Sequence, residues 1–376
     1  MWFTPPPHFL LQLYHTSNIW VKCQFRLSTY KFKNFIIKSL SNMSIDISCC
    51  LAHLSGLCYH QYTAKKRKRE ILMPIKVADL LPATGILEKE NIFVMTEYRA
   101  MHQDIRPLDV LILNLMPTKE VTETQLLRKL SNTPLQVNVE FLQTVSYTPQ
   151  HTDSNHMTAF YTTFEQIKDR KFDGMIITGA PLDHVRFEKV AYWDEICTIM
   201  EWGRTHVHCT LHLCWGAYAA LYYFYGLDRE DLDEKLSGVY THQILKKKSP
   251  LFRGFDDIFH APQSRSMTIA PSQIASVPGL ELMAVSDEAG VAIAKTEDSR
   301  HFFITCHLEY DADTLALEYA RDMEKGMNPK IPVNYFPEDD PTREPIVNWR
   351  SAGQLLFSNW LNYYVYQTTP YDVREI

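Results

Sequence analysis

Two short stretches of the sequence carry residue types suited to nucleophilic catalysis. The first is Leu211-His212-Leu213-Cys214-Trp215-Gly216-Ala217, where an apolar strand pattern gives way within one residue to a helical one. A thiol at such a corner faces the first, unpaired N–H groups of the helix. These favour a thiolate and can also hold the oxyanion of a tetrahedral intermediate. Gly216 and Ala217 are small enough to keep the approach to the sulfur open. Most free cysteines are inert core residues; the corner position sets Cys214 apart. The second stretch is Thr305-Cys306-His307-Leu308-Glu309-Tyr310-Asp311. A spacing of two in extended backbone turns both side chains to one face, so that Glu309 holds one imidazole nitrogen while the other meets a thiol. A lone histidine beside a strand is usually structural. Paired with the Cys214 corner, His307 reads as a general base and Glu309 as its orienting carboxylate.

His206, His208, Cys209, His212 and Cys214 are zinc-ligand types within nine residues. Side chains along one flat strand diverge too little to enclose an ion tetrahedrally, and no second cluster completes the set. No metal is expected, and His206 and His208 read as helix-end and loop residues.

The elements that must position these groups alternate from residue 108 onward as strand, helix, strand, helix. That order predicts an α/β fold with a mostly parallel sheet covered by helices on both faces. Strands are expected at Leu108–Met116, Leu135–Leu142, Asp173–Thr178 and Cys209–Leu213. Helices are expected from Thr118, as a cap, to Leu130, and at Phe160–Ile167, Tyr192–His206 and Trp215–Tyr225. Short strands at Leu280–Val285, Gly290–Ala294 and Phe302–Thr305 read as a sheet extension. Helices Thr314–Lys325 and Ser351–Tyr364 close the chain, the last rich in aromatics that suit core packing or a dimer face. The Gly179-Ala180-Pro181 turn falls at a strand's carboxyl end, where open α/β sheets bind ligands.

The 376 residues, 45% of them hydrophobic, suffice for one large domain or two modest ones. Residues 1–72 hold ten Lys/Arg against two acids, leaving 28 basic and 42 acidic residues beyond them. With Pro5-Pro6-Pro7, little periodicity and the basic run Lys65-Lys66-Arg67-Lys68-Arg69, residues 1–72 read as an unstructured or mis-assigned extension, and 73–376 as the catalytic domain. The basic run lacks interleaved aromatics, so no nucleic-acid partner is expected. Eight cysteines follow no disulfide spacing, which points to a reducing, cytoplasmic compartment. No apolar run is long enough for a membrane helix, and no membrane partner is expected.

Several stretches resemble the homoserine O-succinyl/O-acetyltransferase family: Ile92-Phe93-Val94-Met95-Thr96, Leu111-Ile112-Leu113-Asn114-Leu115-Met116-Pro117-Thr118-Lys119, Thr178-Gly179-Ala180-Pro181, Glu234-Lys235-Leu236-Ser237-Gly238-Val239-Tyr240 and Asn359-Trp360-Leu361-Asn362-Tyr363-Tyr364-Val365-Tyr366. The resemblance runs nearly without gaps from Met73 to about Tyr371. It implies a flavodoxin-like fold of the class I glutamine amidotransferase type with an added C-terminal strand and helix region. By it, Cys214 is the acylated nucleophile, His307 the proton acceptor and Glu309 its partner. Lys235, Ser264 and Arg321 fall on substrate-contacting positions, and Lys119 on a lysine near acyl transfer. The Trp215 amide is the expected oxyanion donor. The family works without metal or bound cofactor, taking its acyl group from a coenzyme A thioester. Where the family commonly has Gly-His-Pro-Glu-Tyr, this chain has Cys306-His307-Leu308-Glu309-Tyr310.

In the turn Thr178 to Asp183 the family typically carries Gly in succinyl enzymes and Glu in acetyl enzymes, where this chain has Asp183. An acid there would repel succinate's distal carboxylate. The expectation is therefore acetyl-CoA as co-substrate, L-homoserine as acceptor and a homodimer. Succinyl-CoA as donor, serine as acceptor, a glutamine amidotransferase-type hydrolase and a non-catalytic binding protein are the alternatives. A glutamine amidotransferase would be expected to carry Gly where His212 stands.

Overall fold

The computed structural model describes residues 76–77, 95–96, 107–146, 154–370, 372, 374 and 376. The expected extension over residues 1–72, and residues 92–94 of the resembling stretches, lie outside them. Strands β1 (Lys76–Val77) and β2 (Met95–Thr96) form a small parallel pair. The main body contains strands β3 (Leu108–Leu113), β4 (Val137–Leu142), β5 (Tyr161–Thr162), β6 (Phe172–Ile177), β7 (Val207–Leu213), β8 (Glu230–Ile244), β9 (Ile258–Thr268), β10 (Leu280–Ser286), β11 (Gly290–Thr296) and β12 (His301–Ile304). Its helices are α1 (Lys119–Leu130), α2 (Ser154–Phe160), α3 (Phe164–Ile167), α4 (Trp193–His206), α5 (Trp215–Tyr225), α6 (Pro271–Ser276), α7 (Thr314–Glu324) and α8 (Arg350–Asn359).

These strands make one ten-stranded sheet in the order β5-β4-β3-β6-β7-β12-β11-β10-β8-β9. From β5 to β12 every pairing is parallel; from β12 to β9 every pairing is antiparallel. The strands of the parallel half read as apolar runs because both of their faces are covered. Val110, Ile112, Leu211, Leu213, Phe302 and Ile304 pack on one face with Leu126 and Leu130 of α1, Leu356 of α8 and the C-terminal Trp360, Leu361 and Val365. Leu111, Leu113, Met175, Ile177 and Phe303 face the other way, under Ile196 and Ile199 of α4 and Ala217 and Leu221 of α5. Each such fully buried side chain contributes roughly 1.5–3 kcal/mol.

The expected sheet extension is present as β10, β11 and the hairpin β8–β9. Sequence periodicity misses that hairpin because the first half of β8 is largely exposed and polar, so alternation starts only near Gly238. The expected helix Phe160–Ile167 is wrong. Tyr161–Thr162 pairs instead with Phe141 and Leu142 as the edge strand, and splits the segment into α2 and α3. Thr118 occupies the N-cap position of α1, but its side chain makes no capping hydrogen bond. The last helix is α-helical to Asn359 and continues as a π-helix over Trp360–Tyr366. Its Trp360, Leu361, Tyr364 and Val365 are buried in the core, so these aromatics serve packing rather than a dimer face. No helix among the described residues is long and apolar enough to cross a membrane.

Candidate active site

Cys214 joins β7 to α5 with φ 45° and ψ −117°, a left-handed conformation that costs a non-glycine residue energy. The bonds around it hold it there. Its N–H donates to the Ile304 carbonyl of β12 at 2.7 Å, and its carbonyl accepts from Ala217 N at 2.9 Å and Tyr218 N at 3.2 Å. Gly216 serves packing rather than access, because a methyl group there would meet the Thr178 carbonyl oxygen at 2.7 Å. The first turn of α5 can therefore lie against the end of β6. Trp215 is the first helical residue, so its N–H has no intrahelical acceptor.

β12 runs parallel to β7 with Ile304 opposite Leu213, which carries the segment after Ile304 to the same end of the sheet as Cys214. This segment bends and turns rather than staying extended, so the spacing argument for His307 and Glu309 needs correcting. The turn itself brings the two together. His307 Nδ1 lies 2.7 Å from Glu309 Oε1, and His307 N–H donates to the Pro262 carbonyl of β9 at 2.8 Å. Burial alone would pull the imidazole's pKa down, but the negative charges of Cys214 and Glu309, and side-chain hydrogen bonds to both, hold it well above its ordinary value. Burial pushes the neighbouring Cys306 thiol up, which leaves it inert at neutral pH.

Tyr310 connects this group to a second one. Its ring stacks on His307 with centroids 4.1 Å apart, and its hydroxyl donates to Glu318 Oε1 of α7 at 2.9 Å. Burial and the Glu318 charge hold the phenol well above its usual pKa, so it stays a donor. Glu318 Oε2 accepts from Ser264 Oγ of β9 and, at 3.3 Å, from Lys235 Nζ of β8. Lys235 also pairs with Asp322 at 2.9 Å, and Arg321, half exposed, pairs with Asp322 at 2.8 Å. The expected Lys235, Ser264 and Arg321 thus share one cluster with two acids that sequence reasoning missed. The signal was available: Glu318 and Arg321 are three apart on a helix, hence on one face.

Asp183 joins the same region. Its carboxylate accepts from Ser266 N of β9 at 2.6 Å, and its backbone carbonyl accepts from the buried Arg229. Burial raises its pKa, while His184, Arg229 and His307 act against that rise.

Lys119 is the first residue of α1. Buried just beyond β3, it donates to the Asn114 carbonyl, and burial lowers its pKa to about 8 against the pull of Glu123. Asn114 donates to Tyr161 at 2.8 Å and Tyr161 to Glu123 at 2.6 Å, with His156 2.9 Å from Glu123.

Of the zinc-type residues, His206 ends α4 as expected, whereas His208 is the second residue of β7 and not a loop residue. No group of three or more metal-ligating side chains that could hold an ion occurs among the described residues.

The family model described as homoserine O-succinyltransferase matches residues 74–371. The chain belongs to that family. Two curated relatives carry the name homoserine O-acetyltransferase. That of Methanomethylophilus alvi is 56% identical over 304 residues, 81% of this chain and 98% of the relative. That of Thermotoga neapolitana is 56% identical over 304 residues, 81% of this chain and 100% of the relative. A solved glutamine amidotransferase from Thermotoga maritima is 13% identical with a TM-score of 0.45, covering 68% of this chain and 98% of that one. Membership of the homoserine O-succinyltransferase family makes the chain an acyltransferase. The Cys214 corner and the His307–Glu309 pair meet at the carboxyl ends of β7 and β12, an arrangement that can form and resolve a thioester.

Proposed function

We propose that this chain is a homoserine O-acetyltransferase that works through a Cys214 acyl-enzyme. The observation that carries this reading is the His307–Glu309 pair at 2.7 Å, on the segment that follows Ile304, whose carbonyl accepts from the Cys214 N–H. The Cys214 thiolate attacks the thioester carbonyl of acetyl-CoA and forms a C–S bond. As the tetrahedral intermediate collapses, the coenzyme A thiolate leaves and takes the proton from the His307 imidazolium. Homoserine's hydroxyl then attacks the acyl-cysteine while His307 accepts its proton. The C–S bond breaks, the thiolate returns and O-acetylhomoserine departs. The Trp215 amide is the oxyanion donor in both steps, a contact contributing about 3 kcal/mol.

The acceptor's two charges suit the second cluster. Glu318 matches its ammonium group, and Arg321, with a planar fork, matches its carboxylate, with Lys235 and Ser264 holding Glu318 in place. Lys119 supports the acyl group from the ends of β3 to β5. Support for acetyl over succinyl comes from the names of the relatives and from Asp183. Fixed by Ser266 N at 2.6 Å, an acid there opposes a distal carboxylate at a cost of roughly 1–4 kcal/mol. Residues 73–376 form the catalytic domain in this reading. The free cysteines 197, 209, 214 and 306 suit a cytoplasmic setting.

The test is intact-protein mass after mixing with acetyl-CoA or succinyl-CoA, with and without homoserine or serine. A single acetyl adduct that homoserine discharges, absent in Cys214→Ser, is the expected result. A succinyl adduct formed at the higher rate would overturn the Asp183 argument. Hydrolysis of glutamine without any adduct would overturn the acyltransferase reading.

A further inference from the structure

Lys129 is the last residue but one of α1 and has its side chain buried, where lysines are rare unless a charge partner is near. Its ammonium and the Leu308 carbonyl of the His307–Glu309 turn both border Gly353 of α8. A methyl group built on Gly353 of α8 would collide with the Leu308 carbonyl oxygen and stand 3.1 Å from Lys129 Nζ. Gln354 Nε2, donating to the Lys129 carbonyl at 3.0 Å, fixes that end of α1 against α8. Glu309, meanwhile, uses Oε1 on His307 and keeps Oε2 buried with no hydrogen-bond partner.

The charges facing Lys129 are Glu309 and Asp311 from the loop after β12, Arg128 on its own helix and Arg350 on α8. Arg128 already pairs with Asp311, which leaves Glu309, bound to His307 through Oε1 only, as the other anion near Lys129. Burial lowers the Lys129 pKa, and the Glu309 charge is the strongest influence raising it.

A thiolate, an imidazolium and a carboxylate sum to one negative charge, and a buried net charge is costly unless compensated. We propose that Lys129 is a positioning residue that supplies the fourth charge of the Cys214–His307–Glu309 group and sets the pH window in which its ion pair exists. This inference rests on the acyl-enzyme reading of those three residues. It concerns their ionisation, however, and can be read without any turnover.

The experiment follows the rate of Cys214 alkylation by iodoacetamide against pH on the full-length protein without substrates, with peptide mass locating the label. Removing a cation makes neighbouring groups hold their protons to higher pH. Lys129→Met should therefore shift the midpoints upward by about 0.5–1 pH unit, and Lys129→Arg should restore them. A merely structural lysine would lower stability and leave the midpoints in place. Unmoved midpoints in folded K129M would overturn the proposal. A reciprocal measurement leaves Lys129 unaltered: in Glu309→Gln, acetic anhydride at fixed pH should label Lys129 about threefold faster or more, because its charged form has lost support. An unchanged labelling rate would also overturn the proposal. A shifted alkylation profile in a protein that forms no acyl adduct would remove the acyl-enzyme route and leave the ionisation role of Lys129 standing.

Discussion

At Cys214 the main chain is held at φ 45° by its bonds to Ile304, Ala217 and Tyr218. A side chain at such a φ costs roughly 1–2 kcal/mol relative to glycine. The nucleophile therefore destabilises the fold it belongs to, in return for a sulfur placed at the head of α5. Cys214→Gly should be more stable than Cys214→Ala by about 1 kcal/mol in urea unfolding, although neither variant can be acylated. Equal midpoints would mean that the backbone relaxes once the thiol is gone. His307 is the other residue whose state the fold dictates. Its raised pKa contributes stability that is fully present below about pH 6.5 and is lost as pH rises through the folded value.

Between elements, β7 and β12 share a pair of histidines, His212 buried and His301 half-buried, that acts in the opposite sense. His212 Nε2 lies 3.1 Å from His301 Nδ1, and the His212 ring stacks on Phe303. Burial lowers the pKa of His301 to about 4 and that of His212 well below its ordinary value. An unfolded chain takes protons on both rings near pH 6.5, whereas the folded chain keeps them neutral. The contribution of the pair is therefore complete above about pH 6.5 and falls as pH drops toward 4. For His301 alone the loss at pH 5 is on the order of 2 kcal/mol. Denaturant midpoints measured from pH 7 to pH 5 should fall accordingly, and the double change His212→Phe with His301→Phe should flatten that slope. Since β7 and β12 carry Cys214 and the His307 turn, acid should separate the triad before it unfolds the rest of the sheet.

For the whole molecule, the consequence of the ten-stranded sheet is that groups distant in sequence meet along one of its ends. The parallel half supplies Cys214 and the route to His307. The antiparallel half supplies Lys235, Ser264 and the carbonyl that holds His307. The family match begins at residue 74. A chain beginning at Met73 is therefore expected to fold and to keep kcat/KM within about twofold of the full-length protein. A larger loss would assign residues 1–72 a part in the enzyme. A homodimer, for which sedimentation would test, would need another face, since Trp360, Leu361 and Val365 are fully buried. Leu317, Met323 and Met327, exposed on and after α7, are the apolar side chains available there.

Local pattern was enough for much of this protein. The apolar runs of β3, β6 and β7 and the helix α5 were legible because both faces of a parallel sheet exclude polar residues. The Cys214 corner was legible because the hydrophobic period changes there from strand to helix. The His307–Glu309 pair could be named from its spacing, but not its shape, since a turn rather than a strand joins the two. Tertiary structure alone decided what depends on contacts between distant segments. Pairing with β4 made Tyr161–Thr162 a strand. Packing against α7 made Glu318 a partner of Ser264, Lys235 and Tyr310. Closure of α1 and α8 over the Leu308 carbonyl brought Lys129 to the back of the Glu309 turn. Such contacts are set by the burial of whole faces, and burial is a property of the assembled sheet rather than of any window along the chain.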